Sequence, residues 1–288
     1  MRDLNYQLKQ LCHRNRDGSH STQANRAKIL YLVANQLQEM GYRGMGVRSL
    51  KPKHVEALSQ RWISEELAPG TIKNRMNCLR WWATKVNRAN VVARTNDYYG
   101  IPDRQLVGQV SKAQQLTDAA LQNIADPYVR MSLELQQAFG LRREEAIKFI
   151  PSYADQGDFI CLKASWTKGG KARQVPILNQ SQRDVLDRAH RLAGQRSLIP
   201  EEKTFIQQLR LYERQTTKAG LSKLHGLRHY YAQQRYQALT GWAAPAVGGP
   251  SLKQLNAKER EKDHQVRLIV SAELGHFRKE IVAVYLAL

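Results

Sequence analysis

Residues 225–230 read His-Gly-Leu-Arg-His-Tyr, and this stretch says more about the fold than any other part of the chain. His225 and Arg228 stand three residues apart, so on a helix both side chains point to the same side. A second stretch, residues 139–145 (FGLRREE), contains a glycine that permits a sharp turn before Arg142 opens a helix. Each of these charged residues alone would be interpreted as an ordinary surface or core residue, so the information lies in their combination.

Two more polar residues continue the series along the chain. Lys168 stands beside Gly169-Gly170, a pair that predicts a tight hairpin turn between two short strands. Residues 274–276 (LGH) are followed nine residues later by Tyr285. A lone surface lysine or a lone buried tyrosine would again be ordinary. Together with the two earlier stretches, they form a set that spreads over 144 positions.

Periodicity predicts a helical N-terminal part. Apolar residues at helical spacing mark residues 27–40 and 53–66, and Thr71 is a suitable N-cap for a third helix that starts there. Residues 89–114 lose this periodicity and contain glycine and proline, which indicates a linker. We therefore expect a helical first domain over residues 1–110.

The second part is predicted to combine helices with a small sheet. Residues 158–164 and 173–178 read as short strands, and residues 180–236 return to helical spacing. The Gly/Pro-rich residues 240–252 predict a loop. The predicted fold is mainly α with a small antiparallel β-sheet, in which an α+β domain over residues 111–288 follows the helical domain.

The composition is that of a folded, strongly basic protein. Hydrophobic residues make up 42% of the 288 residues, and the formal net charge is +20. The excess charge is not a tail, because residues 1–112 hold 19 Lys/Arg against 8 Asp/Glu and the remainder holds 26 against 17. Such a field attracts a polyanion, for which nucleic acid is the first candidate. A soluble basic protein without that partner is the alternative.

The helix predicted from Thr71 separates an apolar face from a basic one. Its apolar positions are Ile72, Met76, Leu79 and either Trp82 or Ala83. Over 18 residues it carries five cations and no acid, which favours a phosphate-contacting surface over a merely solvated one. These predicted DNA-binding residues are Lys73, Arg75, Arg80, Lys85 and Arg88.

The cysteines and the apolar patterns bear on the compartment. Cys12, Cys78 and Cys161 are odd in number and have no CxxC spacing, which argues against a disulfide framework and against a structural zinc site. The N-terminus has no apolar run behind its charges, and no apolar stretch approaches the roughly 18 residues of a membrane span. We expect a cytoplasmic protein without a membrane partner.

In this order, the motifs resemble the tyrosine recombinase family of phage and mobile-element integrases. The resemblance rests on GLR-x-x-E, a lysine in a β-turn, H-x-L-R-H, LGH and a tyrosine nine residues later, and it covers residues 115–288. The N-terminal part is loosely similar to the helical core-binding domain of the family. The resemblance gives Glu145 the role of an acidic partner of the first arginine. It also implies a catalytic set of Arg142, Lys168, His225, Arg228, His276 and Tyr285.

The chemistry asks for these residue types. A phosphotyrosine conserves the energy of the phosphodiester, so DNA can be resealed without an energy source. Two guanidiniums, Arg142 and Arg228, suit the negative charge of the transition state. The sequence shows no cluster of metal ligands, so we expect neither a metal nor another cofactor. The family pattern implies three further roles: a base (His225), a phosphate ligand (His276) and an acid for the leaving 5′ oxygen (Lys168, with Lys171 as competitor).

The resemblance thus implies a site-specific DNA recombinase, encoded by a phage or mobile element, that acts through a covalent 3′-phosphotyrosyl intermediate. Its first partner would be double-stranded DNA, clamped by two basic domains. The chain would be a monomer when free and would form a homo-tetramer on DNA. Accessory DNA-bending or directionality proteins would join them. One alternative is a type IB topoisomerase-like enzyme, against which the separate helical domain and the LGH motif speak. The other is a non-catalytic DNA-binding protein, which would have no need of Tyr285.

The sequence departs from the family pattern in two places. Between Arg228 and His276 lie 47 residues, a longer interval than compact members have. The extra length falls in residues 238–264, which we interpret as a tolerated surface insertion, with a DNA- or protein-contacting element as the alternative. Many relatives also continue into a helix that docks on a neighbouring protomer. Either this chain lacks that tether, or the native protein continues past Leu288.

Overall fold

The computed structural model describes residues 3–103, 111–276 and 279–288, except for the side chains of residues 279 and 280. The chain divides into two compact units, Met1–Gln105 and Leu106–Leu288. The described residues are mostly helical and include one two-stranded antiparallel sheet, which confirms the predicted fold class. Within these ranges, none of the helices combines the length and the apolar character that a membrane span requires.

The described part of the first unit contains four α-helices that pack around two buried tryptophans. These helices are α1 (Asp3–Arg14), α2 (His20–Glu39), α3 (Pro52–Ser64) and α4 (Pro69–Lys85). The indole N–H of Trp62 donates to Gln36 Oε1 at 2.8 Å, and that of Trp82 donates to the Val47 carbonyl at 2.7 Å. Both tryptophans therefore bury their ring without losing a hydrogen bond. The predicted apolar face of α4 is buried in this core, at Ile72, Met76, Leu79, Trp82 and Ala83.

The starts of two helices differ from the prediction. Helix α4 begins at Pro69, where a proline fits because the first helical N–H has no partner inside the helix. Thr71 therefore lies inside the first turn, and its prediction as the N-cap was wrong. Helix α2 begins at His20, well before the predicted residue 27, because the Ser19 side chain caps it by accepting from the Thr22 N–H.

The predicted linker is too long on its N-terminal side. Residues 89–103 contain two short 3₁₀ turns, and they place Val91, Tyr99 and Ile101 in the core of the first unit. The Arg80 guanidinium holds this segment, because it donates to the carbonyls of Ala93 and Thr95 and to Asn96 Oδ1, at 2.9–3.1 Å. Residues 104–110, the remainder of the linker prediction before residue 111, lie outside the described residues.

The second unit surrounds its small sheet with helices. The strands β1 (Phe159–Leu162) and β2 (Arg173–Pro176) pair in antiparallel register, with Phe159 opposite Pro176 and Leu162 opposite Arg173. Helix α11 packs against α6, α12 and α13, which places its first turn inside the unit. The described helices are α5 (Asp118–Gln122), α6 (Pro127–Phe139), α7 (Arg143–Ile147), α8 (Pro151–Ala154), α9 (Gln180–Ala193), α10 (Phe205–Lys218), α11 (Gly226–Thr240), α12 (Ala257–Glu273) and α13 (Lys279–Leu286).

The connection between β1 and β2 is longer than the predicted tight hairpin. It runs from residue 163 to residue 172 and contains a 3₁₀ turn at Ala164–Trp166 before Gly169 and Gly170 reverse the chain. Trp166 is buried with its ring centroid 6.1 Å from that of Phe149, so the first half of the connection belongs to the core. Lys168 and Lys171 follow in the exposed second half.

Residues 238–264 are not simply a surface insertion. Their charged end forms the first two turns of α12, and Asp263 on that helix is buried. Its carboxylate accepts from the Tyr236 hydroxyl at 2.5 Å and from Arg267 Nε at 2.8 and 2.9 Å. A buried carboxylate with two donors is part of the core, so the interpretation of the whole segment as a tolerated insertion was wrong.

We expect Arg80→Ala to destabilise the first unit by about 2 kcal/mol, because three acceptors in residues 93–96 lose a charged donor. The measurement is the free energy of unfolding in urea, followed by tryptophan fluorescence. Lys73→Ala is the matched control, because Lys73 pairs with the exposed Asp103, and it should unfold like the wild type. Equal destabilisation by both changes would contradict the structural role of Arg80.

Candidate active site

The hydroxyl of Tyr285 lies at the centre of a cluster of basic side chains. Tyr285 is on α13 and is 4% exposed. Arg228 Nε donates to this hydroxyl at 3.3 Å, and the Nε2 atoms of His276 and His225 lie 3.1 and 3.3 Å from it. These side chains come from the start of α11, from the turn after α12 and from α13. The fold therefore brings together residues that are up to 60 positions apart in the sequence.

Arg228 ties three of the sequence motifs together. Its guanidinium, 1% exposed, donates to the Gly140 carbonyl at 2.5 Å and to the Leu274 carbonyl. Burial lowers the pKa of Arg228 to about 10, which still leaves it cationic at neutral pH. Gly140 has a φ of 60°, and a Cβ there would lie 2.6 Å from the Tyr231 ring. A glycine at position 140 is thus needed to bring its carbonyl to Arg228.

Arg142 is oriented by a buried carboxylate. Glu145, 0% exposed, accepts from the Arg142 backbone N–H at 2.7 Å and from its Nη1 at 2.8 Å. Arg173 makes a bidentate pair with the same carboxylate, at 2.7 and 2.6 Å. Burial alone would raise the pKa of Glu145, but the Arg173 hydrogen bonds, together with the charges of Arg173, Arg228 and Arg142, lower it to about 2. Glu145 is therefore ionised and holds both arginines in place.

Sequence reasoning missed Arg173. The sequence predicts it only as the first residue of a strand, but its Nε also donates to the Glu273 carbonyl at 2.9 Å, just before the LGH motif. Arg173 thereby connects β2 with the end of α12 through one side chain. An arginine at the start of a strand carries no local signal that separates it from the other cations of a chain with 45 Lys and Arg.

The histidines around Tyr285 are held in their neutral form. Burial, together with the charges of Arg228 and Arg142, lowers the pKa of His225 and lowers that of His276 to about 4. Burial also lowers the pKa of His229 to about 4, and its ring centroid lies 4.6 Å from that of Tyr285. The motif predicts no role for His229, and in the structure its ring packs against the candidate nucleophile. In the described ranges, no group of three or more His, Cys, Asp or Glu side chains is arranged to hold a metal.

Lys168 lies at the rim of this cluster. It shares a cleft of about 220 Å³ with Arg142, His276 and its neighbour Lys171. Arg142 Nη2 lies 3.4 Å from His276 Nε2, which joins Arg142 to the residues around Tyr285. Five of the six predicted catalytic residues are thus in one connected cluster. Lys168 is exposed, and among the described residues it has no hydrogen bond to the other five.

The five cations predicted to bind DNA all have a partner inside the first unit. All five are half-buried. Lys73 and Lys85 pair with carboxylates, whereas the three arginines contact backbone atoms or a ring. The partners are Asp103 for Lys73, the Trp62 ring for Arg75, the segment 93–96 for Arg80, Asp17 for Lys85 and the Arg48 carbonyl for Arg88. Their contact with DNA stays a prediction.

Two family models match the chain. One describes the N-terminal domain of phage integrases and matches residues 1–92, and the other describes the integrase domain and matches residues 104–234. No curated protein sequence matches the chain significantly. The two models together span most of both units.

Solved structures share the fold at low sequence identity. The Tn1549 transposon integrase in complex with circular intermediate DNA is 14% identical, with a TM-score of 0.57 over 100% of this chain and 96% of that one. The lambda integrase tetramer on a Holliday junction is 15% identical, with a TM-score of 0.59 over 97% and 76% of the two chains. For the XerH site-specific recombinase bound to difH, the identity is 17% and the TM-score is 0.59 over 99% and 81%.

The fold is therefore that of the tyrosine recombinases, with a helical N-terminal unit and an α+β second unit. The chain belongs to the phage integrase family, and its activity is site-specific DNA recombination.

We expect Glu145→Gln to destabilise the second unit by about 3–5 kcal/mol, because Arg142 and Arg173 lose their buried counter-charge. The pKa of Glu145 is lowered from 4.5 to about 2, so its contribution is complete above pH 4.5 and is lost as the pH falls toward 2. Urea denaturation at several pH values should therefore show a gap between wild type and variant that shrinks below pH 4.5. Glu144→Gln, which changes an exposed neighbour, is the control. A gap that persists unchanged below pH 4.5 would contradict this account of Glu145.

Proposed function

We propose that Tyr285 cuts DNA by attacking a phosphodiester and forming a 3′-phosphotyrosyl intermediate. The observation that carries the proposal is the Tyr285 hydroxyl, which lies within 3.3 Å of a buried arginine and two neutral histidines. In the attack, the Tyr285 oxygen forms a bond to phosphorus and the bond from phosphorus to the 5′ oxygen breaks. Reversal with a new 5′ hydroxyl reseals the strand and releases the tyrosine.

The two arginines would stabilise the transition state. Arg228 contacts the reacting oxygen and Arg142 contacts His276 next to it, and guanidinium N–H groups bind the non-bridging oxygens of a phosphate in pairs. In the structure, the Tyr285 hydroxyl itself accepts from Arg228 Nε. A bound phosphate would compete for that donor, so substrate binding frees the hydroxyl from the arginine as it places phosphorus next to it.

His225 is the proposed base. Its lowered pKa keeps the ring neutral at physiological pH, so its Nε2, 3.3 Å from the hydroxyl, is able to accept the tyrosine proton. His225 is also exposed on one side, which leaves water a path to remove that proton afterwards. His276 would hold a phosphate oxygen in the tautomer that carries the proton on Nε2, an atom that lies 3.4 Å from both Arg142 Nη2 and Arg228 Nη2.

Lys168 is the proposed acid for the leaving oxygen. It lies in the exposed half of the β1–β2 connection and lines the same cleft as Arg142 and His276. Its ammonium group would therefore be able to reach a phosphate bound in that cleft. Lys171 lines the cleft as well and remains the competing candidate.

Duplex DNA is the proposed partner, bound by four protomers together. The solved lambda integrase is a tetramer on a Holliday junction, and the net charge of +20 suits a chain that neutralises many phosphates. In the first unit, Lys73 and Lys85 pair with solvent-accessible carboxylates and could exchange them for phosphates, whereas Arg80 is held by its hydrogen bonds to residues 93–96.

We further propose that the units Met1–Gln105 and Leu106–Leu288 act as a DNA clamp and a catalytic domain. The protein would act in the cytoplasm, and accessory DNA-bending proteins would set the direction of the reaction.

We expect Tyr285→Phe to form no covalent adduct with DNA while binding it nearly as well as wild type, because the change removes one oxygen. The assay uses a pool of nicked duplexes that includes the DNA flanking the coding sequence, and it detects protein–DNA adducts on a denaturing gel. Tyr230→Phe, on the half-buried face of α11, is the matched control and should form adducts normally. An adduct with the Tyr285 variant would exclude this tyrosine as the nucleophile.

A second prediction separates Lys168 from the arginines. We expect Lys168→Ala to be impaired on normal DNA but nearly normal on a strand with sulfur in place of the bridging 5′ oxygen, because a thiolate leaves without a proton. Arg228→Ala should lower the cleavage rate by a factor on the order of 10² or more on both strands, since the non-bridging phosphate oxygens need this contact with either leaving group. The measurement is the single-turnover cleavage rate at saturating DNA. Equal defects of Lys168→Ala on the two strands would make Lys168 a binding residue and Lys171 the next candidate.

A further inference from the structure

The backbone of the candidate nucleophile is held by a side chain that the catalytic set does not include. Because α13 ends at Leu286, the carbonyl of Tyr285 lies in the last turn, where no N–H of the same helix can reach it. Gln233 Nε2 donates to this carbonyl at 2.9 Å. Gln233 and Tyr285 are both 4% exposed, so this hydrogen bond is shielded from bulk water. The donor that fixes the end of α13 at Tyr285 therefore comes from α11.

Gln233 is itself fixed by a residue from the start of the second unit. Its Nε2 also donates to Ser111 Oγ at 2.9 Å, and Ser111 Oγ lies 3.2 Å from Gln233 Oε1, to which it donates. The Ser111 oxygen accepts in addition from the Ala113 N–H at 3.1 Å. Both hydrogens of the Gln233 amide are thus used, one on Ser111 and one on Tyr285, and the orientation of the amide depends on both partners.

The segment that carries Ser111 runs along the helix that carries the catalytic residues. The Gln114 N–H donates to the Gly226 carbonyl at 3.0 Å, and a Cβ at Gly226 would lie 2.6 Å from the Lys112 carbonyl oxygen. Three extended residues span about 10 Å, and seven helical residues rise by about the same distance. Ser111 and Gln114 therefore match Gln233 and Gly226 in register, and the segment lies flat on the face of α11 next to His225.

We propose that Gln233 is a positioning residue for Tyr285 and that Ser111 makes DNA cleavage depend on the seating of residues 111–114 on α11. A shift of this segment would remove one partner of the Gln233 amide. The amide would then be free to rotate away from the Tyr285 carbonyl, and the hydroxyl would lose its alignment with the phosphate. The inference rests on the proposed role of Tyr285 as the nucleophile. It adds that the chain entering the second unit controls the position of that nucleophile.

The experiment measures cleavage and binding separately in the full chain. Gln233→Met keeps the size of the side chain but removes its donors, Ser111→Ala removes the hydroxyl, and Ser111→Thr retains it. Ser251→Ala is the matched control, because Ser251 also bonds a glutamine, Gln254, but in an exposed loop away from the site. The nicked duplex captured best by the wild type is used at saturation for adduct-formation rates, and the same duplex is titrated for Kd.

We expect Gln233→Met to slow adduct formation by a factor on the order of 10 to 10², as a small misplacement of a reacting group does. Ser111→Ala should slow it less but in the same sense, while Ser111→Thr and Ser251→Ala keep the wild-type rate. The Kd for DNA and the melting temperature should stay close to wild type in both Ser111 variants, which a merely structural role of the hydroxyl would not produce.

Three results would overturn the inference. A wild-type rate for Gln233→Met would remove its positioning role, and a normal rate for Ser111→Ala beside a slow Gln233→Met would remove the coupling to residues 111–114. A loss explained entirely by weaker binding or lower melting temperature would also contradict it. The absence of any adduct from the wild-type chain would instead overturn the proposed function itself, so the two failures are distinguishable.

Discussion

A guanidinium ion is stable in a protein interior when its N–H groups find acceptors, and Arg228 finds three that no local sequence contact could supply. They are the carbonyls of Gly140 and Leu274 and the hydroxyl of Tyr285. Each belongs to a different motif of the chain. Taking a charge out of water costs several kcal/mol unless it is paired and hydrogen-bonded, so the fold has to bring these motifs together to bury Arg228 at all. The geometry of the site and the stability of the second unit thus depend on the same contacts.

The negative charge that balances these arginines is the carboxylate of Glu145, which lies next to the site. Glu145 faces three arginines, and its carboxylate binds two of them, Arg142 and Arg173, directly. Among the residues that the structure describes, no carboxylate forms an ion pair with Arg228, so these residues leave the site with more positive than negative charge. A neutral pocket would be easier to fold, but it would not attract a phosphate. Glu145 therefore balances part of the arginines' charge, which allows the unit to fold, and leaves the excess positive charge for the substrate.

The sequence indicated the residues whose chemistry is specific and missed those whose role depends on tertiary contact. Arginine, histidine and tyrosine in a fixed order pointed to phosphoryl transfer, and five of the six predicted residues meet in one cluster. By contrast, Gln233 is a neutral amide on a helix, and its proposed role follows from the Tyr285 carbonyl, 52 residues away, to which it donates. The sequence around Gln233 does not predict that contact.

The predictions of the linker boundary and of exposed charges were wrong for related reasons. Residues 89–103 lack periodicity, yet Arg80 fixes them to α4 through backbone carbonyls, which have no sequence signature. The charged run before residue 264 looked like solvated surface, although Asp263 is buried beneath Tyr236 and Arg267. An aspartate followed by an arginine four residues later is a helical ion pair on the surface as often as in the core. The sequence pattern cannot separate these two cases, because they differ only in whether another part of the fold packs against that side of the helix.

The excess positive charge also sets the order of events at the site. Burial and then the charges of Arg228 and Arg142 lower the pKa of His225, so without DNA its ring is a weak proton acceptor. A phosphodiester bound between these arginines would bring negative charge that opposes theirs, and the pKa of His225 would then rise. The proposed base would thus become stronger with the substrate in place and stay weak while Tyr285 faces only the protein. Because the same phosphate would compete for the Arg228 donor that Tyr285 now holds, its binding would both release the proposed nucleophile and strengthen the proposed base.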